Sequence, residues 1–86
     1  MYYYVYLLTN KENKHYVGCT NNIKNRLRRH NAGQVLATKV NRPWRLKACF
    51  IFDNQHKAFK FEQYLKTGSG REFLKRHHVW DWDIGI

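Results

Sequence analysis

One stretch, HYVGCTNNIKNRLRRH at residues 15–30, constrains the fold more than any other part of the chain. It begins as a short aromatic and β-branched strand that ends at Gly18, passes through a polar turn and continues as a basic helix. Gly18 has no Cβ, so a side chain or a ligand can approach its backbone closely. Asn21 or Asn22 can cap the helix, and Gly33 follows where a helix C-terminal glycine is common. A strand leading directly into a basic helix is therefore the unit around which we expect the chain to fold.

The helix predicted over residues 22–32 carries its apolar side chains on one face. At about 100° per residue, Ile23 and Leu27 lie together, while Arg26 and His30 fall on the edge of that face. We expect packing to hold both edge side chains while they still see solvent. An arginine in such a place can bind a phosphate, although an ordinary surface position on an amphipathic helix is the alternative for any single arginine.

The other strands and the second helix follow from periodicity. The aromatic run over residues 2–8 predicts a first strand, which should form an antiparallel hairpin with residues 15–18. Alternation over residues 45–52 predicts a third strand. A helical stripe of apolar residues predicts a second helix over residues 56–66.

A third helix is predicted after the glycine-rich segment that ends the second. Ser69 and Glu72 have the spacing of a capping box, so this helix should run from Gly70 to about His77. The order of elements is then ββαβαα. This order indicates an α+β fold with a small three-stranded antiparallel sheet flanked by helices.

The length of 86 residues indicates one small domain with one modest core. We assign the domain to residues 1–78 and treat residues 79–86, which are acidic and aromatic, as a tail of unassigned placement. No apolar run is long enough to span a membrane and no signal peptide is visible, so we expect a cytoplasmic monomer with no membrane contact and no obligate protein partner. Cys19 and Cys49 lack metal-ligand spacing and are expected to be reduced.

The charge of the chain points to a polyanionic partner. The formal net charge is +10, and from Lys14 to Lys47 there are nine Lys or Arg residues and no acidic residue. A basic field of this kind attracts polyanions and speeds their association, so nucleic acid is the expected partner. Five cations and one aromatic residue, which can stack on bases or alternatively cover the core, are the candidates for binding it: Lys24, Arg28, Arg29, Lys39, Arg42 and Trp44.

Hydrolysis of a phosphodiester needs a group that activates water, a positive charge on the phosphate and commonly a cation at the leaving oxygen. Tyr6 and Tyr16 can share one face of the predicted hairpin beside the basic helix, although ordinary packing in the sheet is the alternative for both. Tyrosine is a weak base with an ordinary pKa of about 10, whereas the ordinary pKa of a histidine such as His30 is about 6.5. The residues alone leave the choice of base open.

Glu62 is the only acidic residue in the second predicted helix, and it lies beside the apolar stripe. A solitary carboxylate at the margin of a core has two ordinary explanations. It forms a salt bridge with a nearby Lys or Arg, or it is a ligand for a hard metal ion.

Together these residues resemble the GIY-YIG nuclease domain. The likeness rests on two tripeptides, which stand where the family has Gly-Ile-Tyr and Tyr-Ile-Gly, and on four single positions at the family's spacing: Tyr4-Val5-Tyr6, Tyr16-Val17-Gly18, Thr20, Arg26, His30 and Glu62. It extends over nearly the whole chain, from about Tyr3 to His77. The segments at residues 42–44 and 68–74 look like the small stand-alone bacterial branch of the family.

The resemblance implies an endonuclease that hydrolyses phosphodiester bonds, with DNA favoured over RNA as substrate. It also implies one divalent cation, usually Mg²⁺ with Mn²⁺ as the alternative. The roles carried over are Glu62 on the metal, Arg26 on the phosphate, and a motif tyrosine, Tyr16 or Tyr6, on the water.

Two departures from the family pattern keep other interpretations open. Tyr4 replaces the first glycine of the motif, and no residue after Glu62 matches the asparagine that some members use near the active site. A basic nucleic-acid-binding module without catalysis is therefore one alternative. A protein-interaction adaptor that uses Trp80 and Trp82 in the tail is another.

Overall fold

Three antiparallel strands form a single sheet in the computed structural model, which describes residues 1–79. Strand β1 spans Tyr3–Thr9, β2 spans His15–Thr20 and β3 spans Arg45–Phe52. The order in the sheet is β2-β1-β3. The β1–β2 turn closes because the side-chain oxygen of Asn10 accepts hydrogen bonds from two backbone amides of the turn, at 3.1 and 2.9 Å.

Three α-helices accompany the sheet. Helix α1 spans Ile23–Asn31, α2 spans Gln55–Leu65 and α3 spans Gly68–Arg76. A single 3₁₀ turn at Leu36–Thr38 interrupts the loop between α1 and β3. The predicted α+β class and the order ββαβαα are confirmed.

Side-chain caps fix where the first two helices begin. Asn22 accepts a hydrogen bond from the Asn25 amide at 3.0 Å, and Asn54 accepts one from the Lys57 amide at 3.0 Å. Gly33 has a φ of 78°, which is the left-handed conformation that a C-terminal glycine supplies. Asn22 and Gly33 therefore bound α1 as predicted, and the helix itself is one residue shorter at each end than the predicted residues 22–32.

The start of α3 differs from the prediction. Thr67, and not Ser69, is the N-cap, because its hydroxyl accepts the Gly70 amide hydrogen bond at 3.1 Å. Gly70 does not begin the helix but lies inside it, where a Cβ would overlap the Tyr64 carbonyl oxygen and the Leu65 Cα. The glycine is thus required by the close approach of α3 to α2.

Smaller shifts occur elsewhere. Strand β2 continues two residues past Gly18, because Cys19 and Thr20 still pair with Val5 and Tyr4 of β1. β1 and α2 are each displaced by one residue from their predicted limits, to Tyr3–Thr9 and Gln55–Leu65. The limits of β3 coincide with the prediction.

The sheet is covered on both faces, so the buried residues form two clusters. The face under α2 and α3, called here the apolar face, buries Val5, Leu7, Ala58, Leu65 and Leu74. The face under α1, called here the polar face, buries Tyr6, Leu8 and Trp44 together with His30 and Thr38. Cys19 packs on the apolar face and Cys49 on the polar face, and both are free thiols.

At the C-terminal end of the described chain, Val79 donates a backbone hydrogen bond to Leu74 at 2.8 Å and packs against the apolar face. The predictions about the Trp80 and Trp82 tail lie outside the described residues. Within residues 1–79, none of the helices has both the length and the apolar character that crossing a membrane requires.

Candidate active site

The glycine of the second motif makes room for the tyrosine of the first. Tyr6 and Gly18 are direct partners in the ladder between β1 and β2. A Cβ at position 18 would overlap the Tyr6 ring and its hydroxyl group. Tyr16 lies on the same face as Gly18, since side chains alternate along a strand, and its ring centroid is 6.3 Å from that of Tyr6. The two tyrosines therefore share one face of the hairpin, as predicted.

The hydroxyl group of Tyr6 ends at His30, which lies in a short buried chain of hydrogen bonds. The Tyr6 oxygen is 2.8 Å from His30 Nε2, and His30 Nδ1 is 2.7 Å from Thr38 Oγ1. Thr38 in turn donates its hydroxyl proton to the Val35 carbonyl at 3.3 Å. In the tautomer that satisfies all three contacts, Nδ1 donates to Thr38 and Nε2 accepts from Tyr6. Tyr6 therefore donates to a neutral imidazole.

The prediction that His30 still sees solvent is wrong, because His30 has no exposed surface. Periodicity places it at the edge of the helix face, but the loop carrying Thr38 folds over that edge. Burial, with smaller effects from Arg26 and Arg29, lowers the pKa of His30. Burial, followed by the proximity of Tyr16, raises the pKa of Tyr6. Both pKa shifts favour the uncharged forms that the hydrogen bonds require.

Arg26 and Glu62 line one cleft of about 710 Å³ at the end of β2. Arg26 comes from α1 and Glu62 from α2, so residues from opposite faces of the sheet meet around its edge. Cys19 and Thr20, the last two residues of β2, also line the cleft. Burial is the main cause of the raised pKa of Tyr6, which Arg26 lowers and Glu62 raises by smaller amounts.

Glu62 also pairs with Lys66 one helical turn later. The distance between Glu62 Oε2 and Lys66 Nζ is 2.9 Å, and the Glu62 side chain is 14% exposed against 53% for Lys66. The salt bridge considered as an alternative for Glu62 is therefore present. A pair with one partner this exposed contributes little stability, so it does not by itself account for a carboxylate in the cleft.

The donor set in the cleft fits one class of metal ion. No group of three or more His, Cys, Asp or Glu side chains that could hold a metal occurs among residues 1–79, which excludes a preformed zinc-type cage in that part of the chain. A carboxylate in an open cleft suits Mg²⁺, which usually keeps several waters and takes one or two carboxylates. Glu62 is the residue that would hold such an ion.

The remaining motif residues support the strands and the turn into α1. Thr20 accepts the Asn22 amide hydrogen bond at 3.1 Å and so joins the end of β2 to the start of α1. Val5 is fully buried on the apolar face, and Val17 packs against the same cluster. Tyr4, which replaces the motif glycine, is a half-buried strand residue paired with Thr20 and Ile51.

The five cations predicted to bind nucleic acid all have solvent access on the surface of the domain: Lys24, Arg28, Arg29, Lys39 and Arg42. Trp44 is not available to stack on bases, because only 5% of it is exposed and its Nε1 donates to the Thr38 carbonyl at 2.9 Å. Its backbone is also bound on both sides by the Asn31 side chain. The assignment of Trp44 as a base-stacking residue is wrong, and the alternative of a residue that covers the core is confirmed.

Several residues at the site are not predicted from the sequence. Thr38 leaves no sequence signal, since its contact with His30 depends on how an irregular loop folds. The sequence does contain a signal for Phe59 and Lys66, because helical spacing places both on the same side of α2 as Glu62. The full row along α2 and its C-cap is Gln55, Phe59, Glu62 and Lys66. Within that row, only the solitary acidic residue stands out in the sequence.

Comparison with known proteins agrees with this architecture. The family described as the GIY-YIG catalytic domain matches residues 2–76 of the chain. The chain therefore belongs to the GIY-YIG family, a family of nuclease domains.

The more specific likeness is to small bacterial proteins named UPF0213. A UPF0213 protein of Pediococcus pentosaceus is 41% identical over 81 residues, covering 90% of this chain and 85% of the relative. UPF0213 protein SH2523 of Staphylococcus haemolyticus is 36% identical and covers 85% of this chain and 90% of the relative. The solution NMR structure of UPF0213 protein BH0048 from Bacillus halodurans superposes with a TM-score of 0.57 at 27% identity, covering 96% of this chain and 92% of that one.

Proposed function

We propose that the chain is a metal-dependent endonuclease that hydrolyses phosphodiester bonds in nucleic acid, DNA in preference to RNA. One observation carries the proposal: Arg26 and Glu62, from helices on opposite faces of the sheet, line the same cleft. A cation and a carboxylate brought together at the edge of a basic domain suit a phosphate and a hard metal ion. The net charge of +10 supports a polyanionic substrate.

Arg26 is assigned to the phosphate. Its guanidinium can form two parallel hydrogen bonds to phosphate oxygens, and this contact strengthens as charge accumulates in the transition state. Arg26 is partly buried at the margin of the α1 packing face. Partial burial restricts the side chain before substrate arrives, which lowers the cost of reorganisation during the reaction.

Glu62 is assigned to a divalent cation, Mg²⁺ or Mn²⁺. When bound, such a cation supplies Lewis-acid stabilisation of the leaving oxygen. Lys66 must release the Glu62 carboxylate for this role, and its 53% exposure leaves it room to do so.

Water activation is assigned by exposure and hydrogen bonding. His30 is enclosed, with both ring nitrogens bonded, so it acts as the acceptor that holds the Tyr6 hydroxyl. Only 2% of Tyr6 is exposed, whereas Tyr16 is half-buried. Tyr16 is therefore the better candidate for the group that contacts the attacking water, with Tyr6 and His30 positioned behind it.

Comparing Arg26 with Arg28 tests the site. Arg26→Ala should reduce turnover on the order of 10²–10³-fold, the scale of removing one preorganised charge-stabilising donor. Arg26→Lys should restore the positive charge but little activity, because an ammonium group cannot form the two parallel hydrogen bonds of a guanidinium. Arg28 hydrogen-bonds to Asn25 at the surface of α1 and does not line the cleft, so Arg28→Ala should weaken binding slightly and spare turnover.

The measurement is cleavage of a panel of DNA and RNA substrates of several shapes, with Mg²⁺ or Mn²⁺, by protein free of contaminating nuclease. Circular dichroism of each variant controls for folding. Equal and mild effects of Arg26→Ala and Arg28→Ala would show that the site is assigned incorrectly. No cleavage of any substrate by the wild type would contradict the enzyme itself.

A non-catalytic nucleic-acid-binding module is the second candidate. The observation that favours it is the Lys66 ammonium, which already neutralises Glu62, the one carboxylate among the described residues that line the cleft. Unchanged nucleic-acid binding by Glu62→Gln, together with no turnover by the wild type, would support this candidate. In either case affinity should fall steeply as salt increases, since phosphate contacts release counterions.

A further inference from the structure

An aromatic side chain shares the cleft with the two charged residues. Gln55, Phe59 and Glu62 are spaced four and three residues apart, so they lie in one row on α2, and all three line the cleft. Phe59 is 49% exposed. Half of a phenylalanine ring is thus open to solvent in the cleft that also holds a carboxylate and Arg26.

Packing of the core does not account for this exposure. The apolar face takes Ala58 and Leu65 from α2 into its centre and packs Phe61 against them. The Phe61 ring lies 4.9 Å from the Phe50 ring and 5.4 Å from the Phe52 ring, measured between centroids. Phe59 is on the side of α2 turned towards the cleft. Contact of an apolar ring with water is unfavourable there unless something covers the ring.

The aromatic ring and the carboxylate lie one helical turn apart on α2. Phe59 and Glu62 are three residues apart, which is about 4.5 Å along an α-helix. Because Phe59 and Arg26 line the same cleft, a nucleobase lying on Phe59 would belong to a nucleotide close to the phosphate that Arg26 binds.

We propose that Phe59 is a stacking platform for one nucleobase of the substrate, next to the phosphate that Arg26 binds. This inference rests on the proposed function. Every base has an aromatic face, so the platform tolerates any sequence. A base reaches such a ring only when it leaves the helical stack, so the platform selects substrates with an unpaired nucleotide beside the bond that is cut.

The charges around the Phe59 ring favour a nucleic acid, and not an apolar peptide, as the molecule that covers it. A base on Phe59 carries its phosphate towards Arg26, and further cations of α1 lie on the same helix as that arginine. An apolar peptide covering Phe59 would instead bury the Arg26 guanidinium with no anionic partner of its own, which is costly.

A double cycle between the protein and the oligonucleotide tests the platform. Binding of a labelled single-stranded oligonucleotide is measured by anisotropy in EDTA, with an abasic site moved through each position. Phe59→Ala should weaken binding about 10- to 100-fold, the scale of losing one base–aromatic stack. One abasic position should weaken wild-type binding to a similar extent and should have no further effect in Phe59→Ala.

Three variants serve as controls. Phe59→Trp should retain affinity, since it keeps a planar ring, and Phe59→Leu should lose it while preserving apolar volume. Ile51→Ala removes an apolar side chain that is 60% exposed on β3 and does not line the cleft, and it should change affinity less than about twofold. Thermal melting of each variant separates loss of stacking from loss of folding.

Three results would overturn the proposal. The losses of affinity caused by the abasic site and by Phe59→Ala multiply, no abasic position weakens binding, or Phe59→Ala binds as tightly as the wild type. That last outcome would assign the exposed ring to a different partner, such as a protein. Because binding is measured without metal, the cycle is independent of cleavage. If the abasic site has no further effect in Phe59→Ala but no substrate is cleaved with Mg²⁺, the stacking platform is supported and the nuclease is contradicted. If substrate is cleaved but the two losses multiply, the nuclease is supported and the platform is contradicted. Absence of any nucleic-acid binding removes both.

Discussion

The two faces of the sheet are buried by different chemistry, although the same strand contributes to both. On the apolar face, Val5 and Leu7 of β1 pack against Leu65 and Leu74 from two helices. On the polar face, Tyr6 of the same strand ends in hydrogen bonds that continue through His30 to Thr38. Alternation along β1 therefore separates a face that is held by apolar packing from a face that also holds a buried chain of hydrogen bonds.

The contrast predicts which substitutions lower stability alone and which also change the geometry of the site. Apolar contacts are non-directional and distributed over many atoms, so a loss on the apolar face lowers stability without changing the geometry of the site. A buried hydrogen bond has one partner at a fixed angle, so a loss on the polar face disturbs orientation as well as stability. Four substitutions or conditions sharpen this comparison.

The largest effect is expected from Leu74→Ala on the apolar face. Leu74 is fully buried, so truncation should lower the free energy of unfolding by about 2–5 kcal/mol, depending on how far the cavity collapses. Urea denaturation followed by circular dichroism measures the loss. Cleavage per folded molecule should stay at the wild-type level, and a fall in that quantity would show that the two faces are not separable.

Thr38→Val on the polar face should cost less stability but change the site. Removing the hydroxyl leaves His30 Nδ1 buried without its acceptor, at a cost of about 1–3 kcal/mol. Thr9→Val is the matched control, because the buried Thr9 hydroxyl has no hydrogen-bond partner within the described structure and its loss should be neutral or favourable. Equal destabilisation by both substitutions in the same urea experiment would argue against the polar chain.

Thr67→Ala tests how much one hydrogen bond, the N-cap of α3, contributes to stability on the apolar face. Loss of the α3 N-cap should lower the free energy of unfolding by about 1 kcal/mol, whereas Ser69→Ala should change it little. Thermal denaturation of the two variants side by side measures the difference. A larger effect of Ser69→Ala would restore the capping box predicted from the sequence.

The smallest effect is a pH dependence that belongs to His30. Its pKa in the folded protein lies below the ordinary value of about 6.5, so the unfolded chain binds a proton more readily. Stability from this group is complete above a pH of about 6.5 and falls as the pH drops towards the folded pKa. In His30→Gln this part of the slope should be missing, which urea titrations between about pH 8 and pH 5 can measure. A slope identical to that of the wild type would assign the effect elsewhere.

Local patterns determine the sheet and the helices, and for that reason the sequence predicts them well. Alternation sets β3, and the Asn22 cap and Gly33 set α1. The same reasoning fails for α3, since the role of Gly70 depends on how closely another helix approaches. Periodicity also cannot show what covers a residue at the edge of a helix face, and this explains the error at His30. Trp44 lies in the irregular segment before β3, where no periodic pattern indicates whether a side chain is buried. The pairing of Arg26 with Glu62 in one site follows from resemblance to a family and not from spacing.

The overlap between a Cβ at position 18 and the Tyr6 ring makes the two positions interdependent in evolution and in engineering. A change of Gly18 is tolerated only after Tyr6 has become smaller, and Tyr6 cannot then be restored while the new side chain remains. The order in which substitutions arise therefore matters. A lineage that acquires Gly18→Ala behind a small residue at position 6 can return to the starting sequence by one route only, in which the glycine is restored first.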